Sequence, residues 1–541
     1  MKLISAVKRK GPELVLVFLA IIILGLPFAP WGFHSDDFSF VWRGQFQSIA
    51  DVINFFHMTS VYNLLHGSNF IPQNAHFFSV LYRPLLFFWY GIQQKIFGFS
   101  PYGYLLILAL LHGVNAALFF NILRKYWPTN ISFIGALYFL FHLSLIDWFG
   151  IVYDQQHLFA LFFALIAVVA YQKYVLHSLG RWLILGCVAL FCSIFTRETF
   201  IVFPLLLVIG KCFYGRGFIT PLTVWVAGIL PSVAAFVVRI YKFPIQHSRD
   251  DVSTLTRDAF SFVSFVKERF ITYVCWTVDV TNLGFVPGGN RLRKGTLIIC
   301  VVALLVWLFW RCTKKKDVVL CALAALIVCW PAIVRVYISR FFYEALPLFI
   351  LALLFILFSN RDYLRSKLSV LSLLIMLNIS LIGTNMFKKN DLFQQIGNNF
   401  TLLVEDLRSL NIQKKIESIC FVALPGDFCT GVAQACYIHG LSSDIKIYYD
   451  KGTFILGGLA EYREPGCVSI EKINNTELRI VLKKPQAFVC GDFHVEYGTK
   501  NFFDTISEKI LFWSMSDERF GVPDVLVSWD YTLNRFCIIK S

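Results

Sequence analysis

Long apolar runs alternate with short polar turns through the first 386 residues, and the pattern changes after them. A helix that crosses a bilayer needs ~20 mainly apolar residues. Runs of that kind cover 13–30, 103–123, 131–148, 157–176, 181–195, 199–213, 219–240, 295–311, 318–334, 342–358 and 368–386, which predicts about eleven spans. The run 82–97 is shorter and is interrupted by Arg83, Pro84 and Lys95, so it reads as an amphipathic helix at the membrane interface. Beyond 387, Phe393–Leu410 reads as an amphipathic helix on the outer side. Short β-like runs follow at Ser418–Leu424, Ile445–Tyr449, Leu478–Leu482 and Val525–Trp529. Pro425-Gly426-Asp427 and Pro465-Gly466 are turn signals between them. The pattern predicts a mainly α protein: a polytopic membrane helical bundle over 1–386 and a small soluble α/β domain over 387–541.

Composition sharpens this picture. Hydrophobic residues make up 57% of the 541, charged residues only 15%, and 56 residues are Phe. A soluble globule of this length would carry about a quarter charged residues. Short loops rich in Lys and Arg stay on the cytoplasmic side. With Lys2, Lys8, Arg9 and Lys10 inside, the loops holding Arg124/Lys125, Lys173/Arg181, Lys211/Arg216, Arg311/Lys314/Lys315/Lys316 and Arg361/Arg365/Lys367 all fall inside too. The expected topology is therefore N-terminus in and 387–541 out, in a bacterial inner membrane or the endoplasmic reticulum. The first span reads as uncleaved, because Pro27, Phe28, Pro30 and Trp31 are poor flanks for a signal peptidase. The tail carries 17 basic and 19 acidic residues, so the net +15 belongs to the membrane part. Topology and leaflet attraction account for it, and no nucleic-acid partner is implied. The six tail cysteines (420, 429, 436, 467, 490 and 537) permit disulfides on an oxidising face, with pairing left open.

Candidate chemistry collects on the outer side. Asp36-Asp37 stands just beyond the first span, where a charge near lipid is costly and is a functional hypothesis by default. The pair can supply a general base, and Asp37 is a candidate ligand for a divalent metal. Its bland alternative is a solvated cap. Arg83 can grip a phosphate with both arms of its fork, or simply snorkel. His112 and Asn115 share one helix face inside a span, which favours interhelical hydrogen bonds. Asp147, Asp154 and His157 flank one outer link, and Thr196-Arg197-Glu198-Thr199 forms another, where a local ion pair is the plain reading. Arg335, Arg340, Tyr343 and Glu344 open a later span, with Arg340 and Glu344 spaced as an ordinary helix pair. The convergence of acids, arginines and histidines from distant segments on one side favours a site. Arg83 and at least one of Arg197 and Arg340 are expected to approach a common outer-face cavity, which Asp36 also lines. No Gly-rich phosphate loop, H-E-x-x-H or G-x-S-x-G is present.

In this order of elements the chain resembles the GT-C fold of integral-membrane glycosyltransferases. It is most similar to the protein O-mannosyltransferase-like group, which comprises family 39 and the transmembrane-TPR O-mannosyltransferases. The resemblance is carried by Asp36-Asp37 after the first span and by Arg83-Pro84-Leu85. It continues in Pro101, Tyr104 and His112 leading into the second span, and in Thr196-Arg197-Glu198-Thr199, with Arg where the group has Lys. It covers roughly 10–215. Where the transmembrane-TPR group has His and Asn, this chain has Leu105 and Leu108, and it lacks the TPR repeats. The acceptor is therefore not carried over.

The resemblance implies a polyprenyl-phosphate-linked sugar as donor and transfer on the periplasmic or lumenal face to a lipid, glycan or protein acceptor. Asp36 would take the proton from the acceptor hydroxyl, Asp37 would support it, and the anomeric carbon would be inverted. Arg83, Arg197 or Arg340 would stabilise the departing lipid phosphate. His112, Asp154, His157, Glu198, Tyr343 and Glu344 would support the site. Two rivals remain. An O-antigen polymerase or ligase would carry an Arg-rich outer loop, and 241–294 holds eight basic residues. Such an enzyme needs no early acidic pair, however. A transporter would show inverted repeats and polar groups at mid-membrane, and neither is visible.

Overall fold

The computed structural model describes residues 2–26, 33, 37–38, 40–41, 44–46, 48–57, 83–142, 145, 151–206, 222–242, 310, 312–328, 343–358, 364–413, 415–421, 432–442, 445–449, 468–472, 477–482, 509–514, 524–530 and 535–540. The chain divides into two compact units. One is Met1–Ala29 with Phe46–Phe387, and the other is Pro30–Gln45 with Lys388–Ser541.

Helices build the first unit. Lys2–Leu19 continues as one turn of π-helix, Ala20–Gly25. Ile49–His57 and Pro84–Phe97 follow, then Pro101–Leu123, Thr129–Leu140, Gln155–His177 and Gly180–Thr196. Pro84 and Pro101 each stand at the first helical position, where the missing N–H costs nothing. Ser178 ends the Gln155–His177 helix in the left-handed region (φ 53°), and its N–H donates to the Tyr174 carbonyl at 2.7 Å. Only Ser178 and Leu179 separate this helix from Gly180–Thr196, so the two pack as antiparallel neighbours. Leu222–Lys242, Lys315–Val328 and Leu346–Phe358 complete the described bundle, with the start of Leu364–Gln413.

The outward faces of these helices are apolar as well. Leu14, Phe18 and Ile22 are exposed on the first helix, Ile184 and Val188 on Gly180–Thr196, and Val226, Leu230, Val233 and Val237 on Leu222–Lys242. Their spacing of three and four makes continuous apolar stripes, which water would oppose and a bilayer would accept. Pro101–Leu123 and Val152–His177 are long and apolar enough to cross a membrane. Small residues let helices approach closely: a Cβ on Gly113 would lie 2.9 Å from the Val17 Cα and 2.8 Å from the Ala20 Cβ.

The second unit contains two small sheets. Strands β1 (Ser418–Phe421), β2 (Lys446–Tyr449), β6 (Val525–Asp530) and β7 (Arg535–Lys540) form the order β2-β1-β6-β7. Strand β1 runs parallel to β2 and to β6, and β7 is antiparallel to β6. Strands β3 (Val468–Lys472), β4 (Glu477–Leu482) and β5 (Lys509–Ser514) form an antiparallel sheet in that order. A short helix, Val432–Ile438, lies between β1 and β2 in the chain. Ile396, Phe400, Leu403, Val404 and Leu407 make a buried helical stripe, and Ile419, Phe421, Val525, Leu526 and Val527 are buried on the strands.

Three expectations need correction. The span at 368–386 and the amphipathic helix at 393–410 are parts of one helix, Leu364–Gln413. The stretch holds no Pro, and its polar run Lys388-Lys389-Asn390-Asp391 ends the apolar signal without breaking the backbone. The span expected from 199 starts as a 3-10 turn, Glu198–Val202. Strands β3, β5 and β7 were not foreseen from the sequence pattern. Residues 243–294 of the second long loop and most of the span at 295–311 lie outside the described residues.

Candidate active site

Four breaks between helices in the first unit carry the buried charges. Arg83 is the residue before the Pro84–Phe97 helix. The 3-10 turn Val152–Asp154 feeds directly into Gln155, Gln156 and His157 at the start of the next helix. Arg197 is extended (φ −158°, ψ 135°) and interrupts the chain between the Gly180–Thr196 helix and the Glu198–Val202 turn. Tyr343 and Glu344 stand in the turn ahead of the Leu346–Phe358 helix.

The Arg83 fork meets Glu198 with both arms, Nε to Oε2 at 3.0 Å and Nη2 to Oε1 at 2.7 Å. Its Nη1 donates to the Gln156 Oε1. Arg197 turns elsewhere. Its Nε lies 2.8 Å from the Glu344 Oε1 and 3.0 Å from the Thr199 Oγ1. Its Nη1 reaches the His157 Nε2 at 3.1 Å. The His157 Nδ1 lies 2.8 Å from the same Glu344 oxygen. These contacts fit a neutral imidazole that donates from Nδ1 to Glu344 and accepts at Nε2 from Arg197. Asp154 Oδ1 stands 3.7 Å from the His157 Nε2. The local Arg197–Glu198 pair expected from sequence is replaced by two longer-range pairs, because the extended Arg197 sends the two side chains to different helices.

A second layer lies beside the first. The His112 Nδ1 meets the Tyr343 hydroxyl at 2.8 Å, and its Nε2 meets the Leu140 carbonyl at 3.0 Å. The Asn115 amide donates to the Leu158 carbonyl at 2.9 Å and to the Tyr343 hydroxyl at 3.2 Å. These are the interhelical bonds expected of that face. Trp89 and Gln93 both donate to the Gln155 Oε1, at 3.0 and 2.8 Å. That cluster of amides was not foreseen, although Gln155-Gln156-His157 at the mouth of an apolar run was a readable signal.

Burial sets the electrostatics. Burial pulls the Arg197 guanidinium down, with the Glu344 charge opposing. Burial also opposes the charge on Arg83, but the charge and hydrogen bonds of Glu198 outweigh it and hold Arg83 above its ordinary value. The Glu198 side chain is 25% exposed against 7% for Arg83, so this pair forms the wetter edge of the network. The buried atoms with no hydrogen-bond partner among the described residues include the Gln156 Nε2, a donor, and the Glu344 Oε2, an acceptor.

The other expected residues are placed differently. Asp37 is fully buried in the second unit. Asp36, Arg340, Asp147 and Arg335 lie outside the described residues. Among the described residues no group of three or more His, Cys, Asp or Glu side chains is arranged to hold a metal ion.

No family model matches the chain, and no curated protein matches it significantly in sequence. Among solved structures, the chain is similar to the oligosaccharyltransferase of Archaeoglobus fulgidus in its apo form, with 12% identity and a TM-score of 0.42 over 81% of this chain and 64% of that one. The same enzyme in complex with zinc and sulfate gives 13% identity and a TM-score of 0.41, over 81% and 62%. ArnT from Cupriavidus metallidurans, bound to undecaprenyl phosphate, gives 10% identity and a TM-score of 0.41, over 95% and 99%. The chain thus spans less than two thirds of the oligosaccharyltransferase. Likenesses at TM-scores of 0.41–0.42 and 10–13% identity carry no weight for activity, and the functional reading rests on the chain's own residues.

Proposed function

We propose that this protein is a membrane glycosyltransferase of the GT-C type. It moves a sugar from a polyprenyl-phosphate-linked donor to an acceptor hydroxyl on the outer face, with inversion. The observation that carries the reading is the two buried arginines, Arg83 and Arg197, each paired with a carboxylate at a break between helices. Burying two guanidinium groups is expensive, and a hydrophobic isostere often serves stability as well. Their retention beside apolar helices is best explained by an anionic substrate.

The chemistry follows from the groups present. Glu198 holds the Arg83 fork open and flat, and as the more exposed partner it can yield that fork to a phosphate oxygen. The orphan amide donor of Gln156 lies next to the same guanidinium and would add a neutral hydrogen bond. Glu344 and His157 fix the direction of Arg197. Asp36 is proposed as the base and Asp37 as its support, on the strength of the family order of motifs. The acceptor oxygen forms the new bond to the anomeric carbon as the bond to the lipid phosphate breaks, and the proton goes to the carboxylate.

The test is transfer by the purified protein in lipid nanodiscs, offered polyprenyl-phosphate hexoses and pentoses in turn. Release of lipid phosphate with an inverted anomeric product is the expected outcome. Activity with none of them, or retention of configuration, would overturn the proposal.

A further inference from the structure

The acidic segment Pro30–Gln45 belongs to the same compact unit as the C-terminal residues Lys388–Ser541, far away in sequence. Its anchor is aromatic. Phe38, one residue past Asp37, is buried, and its ring meets the Phe33 ring edge-on at 5.8 Å. The same ring meets Phe400 edge-on at 5.4 Å and stands 6.2 Å from the His439 ring. Phe400 stacks on His439 at 6.0 Å with the planes 15° apart. Beyond it Phe536 of β7 lies 4.9 Å from Phe400, and Phe421 of β1 lies 6.0 Å from Phe536. An unbroken row of rings therefore runs from the acidic segment into the core of the four-stranded sheet.

His439 is itself fixed. Its Nδ1 lies 3.0 Å from the Thr401 hydroxyl. The following Gly440 has φ +98°, a conformation that side chains rarely adopt, and its carbonyl accepts from the Arg408 guanidinium. Burial lowers the His439 pKa, so the ring packs as an uncharged aromatic.

We infer that Phe400 and His439 are positioning residues for the acidic pair: by clamping Phe38 they fix the backbone at Asp37, next to the proposed base. The C-terminal domain then takes part in catalysis through the segment it holds. This inference rests on the proposed role of Asp36 as base. A carboxylate acts as a base only when held within hydrogen-bond reach of the proton it takes. Freedom in the segment lowers the fraction of time spent there and leaves donor binding alone.

The experiment uses the full chain. His439→Ala removes the stacked ring, His439→Phe keeps a ring without the Thr401 bond, and Phe400→Ala removes the ring that touches Phe38. Leu402→Ala, on the exposed side of the same helix, is the control. Amide exchange over 33–41, and kcat and donor KM, are measured for each. The two ring deletions should speed exchange by roughly threefold to tenfold, the size of one aromatic contact. They should lower kcat with donor KM unchanged, while His439→Phe restores both readouts. Should Phe400→Ala fail to fold, the His439 pair decides. Unchanged exchange in folded His439→Ala would overturn the clamp. Faster exchange with unchanged kcat would overturn the positioning role. Asp36→Asn assayed alongside separates the two ideas: its full activity would sink the base assignment, whereas the clamp is judged by exchange.

Discussion

Arg197 and Glu198 are covalent neighbours whose side chains reach different ion-pair partners. One side chain goes to Glu344 and His157, the other to Arg83, and the extended backbone at Arg197 is what separates them. Two predictions belong at this scale. Asp36→Asn keeps shape and hydrogen bonding but removes the base, so it should cut transfer by at least ~10²-fold with donor affinity nearly intact. Near-normal turnover in that variant, with Asp37→Asn inactive, would reverse the assignment within the pair. Arg83→Lys keeps the charge but loses the fork that matches a carboxylate or phosphate. Donor KM should rise roughly 10- to 100-fold, as expected for a lost charge-assisted hydrogen bond of ~1.5–3 kcal/mol. An unchanged KM would mean that Arg83 serves only Glu198.

Among the elements, the close approaches matter more than propensity. The Pro101–Leu123 helix meets the first helix at Gly113, where an added methyl would press on the Val17 backbone as well as on the Ala20 side chain. Gly113→Ala should therefore destabilise by ~1–3 kcal/mol despite the better helix propensity of Ala. A thermal midpoint in detergent equal to that of the parent would refute the close contact. The His112–Tyr343–Asn115 bonds tie the same helix to the turn that carries Glu344, so loosening the helix also loosens the site. The helix Leu364–Gln413 illustrates a limit of hydropathy: its apolar and amphipathic halves read as two elements, yet the hydrogen-bonded backbone is continuous.

Across the whole molecule, the expected orientation places the C-terminal domain outside. A reporter fused after Ser541 should be active only if it functions outside the cytoplasm, and cytoplasmic activity would sink the topology. The division into two units changes the meaning of that domain. Pro30–Gln45 follows the first apolar run and joins the C-terminal residues, so two segments far apart in sequence build one body.

Much of this was legible in the residues. Apolar run length marked most helices, and Pro84 and Pro101 marked two helix starts, because the energy of hiding backbone and side chains from water or lipid is local to a segment. Arg83, Asp154, His157, Arg197, Glu198, Tyr343 and Glu344 stood out singly, because charge near an apolar run is costly wherever it occurs. Which of them would meet was not legible. The Arg83–Glu198 pair joins residues 115 apart, and His157–Glu344 joins residues 187 apart. Only the packing of helices around the extended Arg197 decides those distances. The same holds for Phe38 against Phe400: one lies in an acidic loop and the other on a distant helix, and aromatic packing is a property of surfaces that meet, which a linear pattern does not contain.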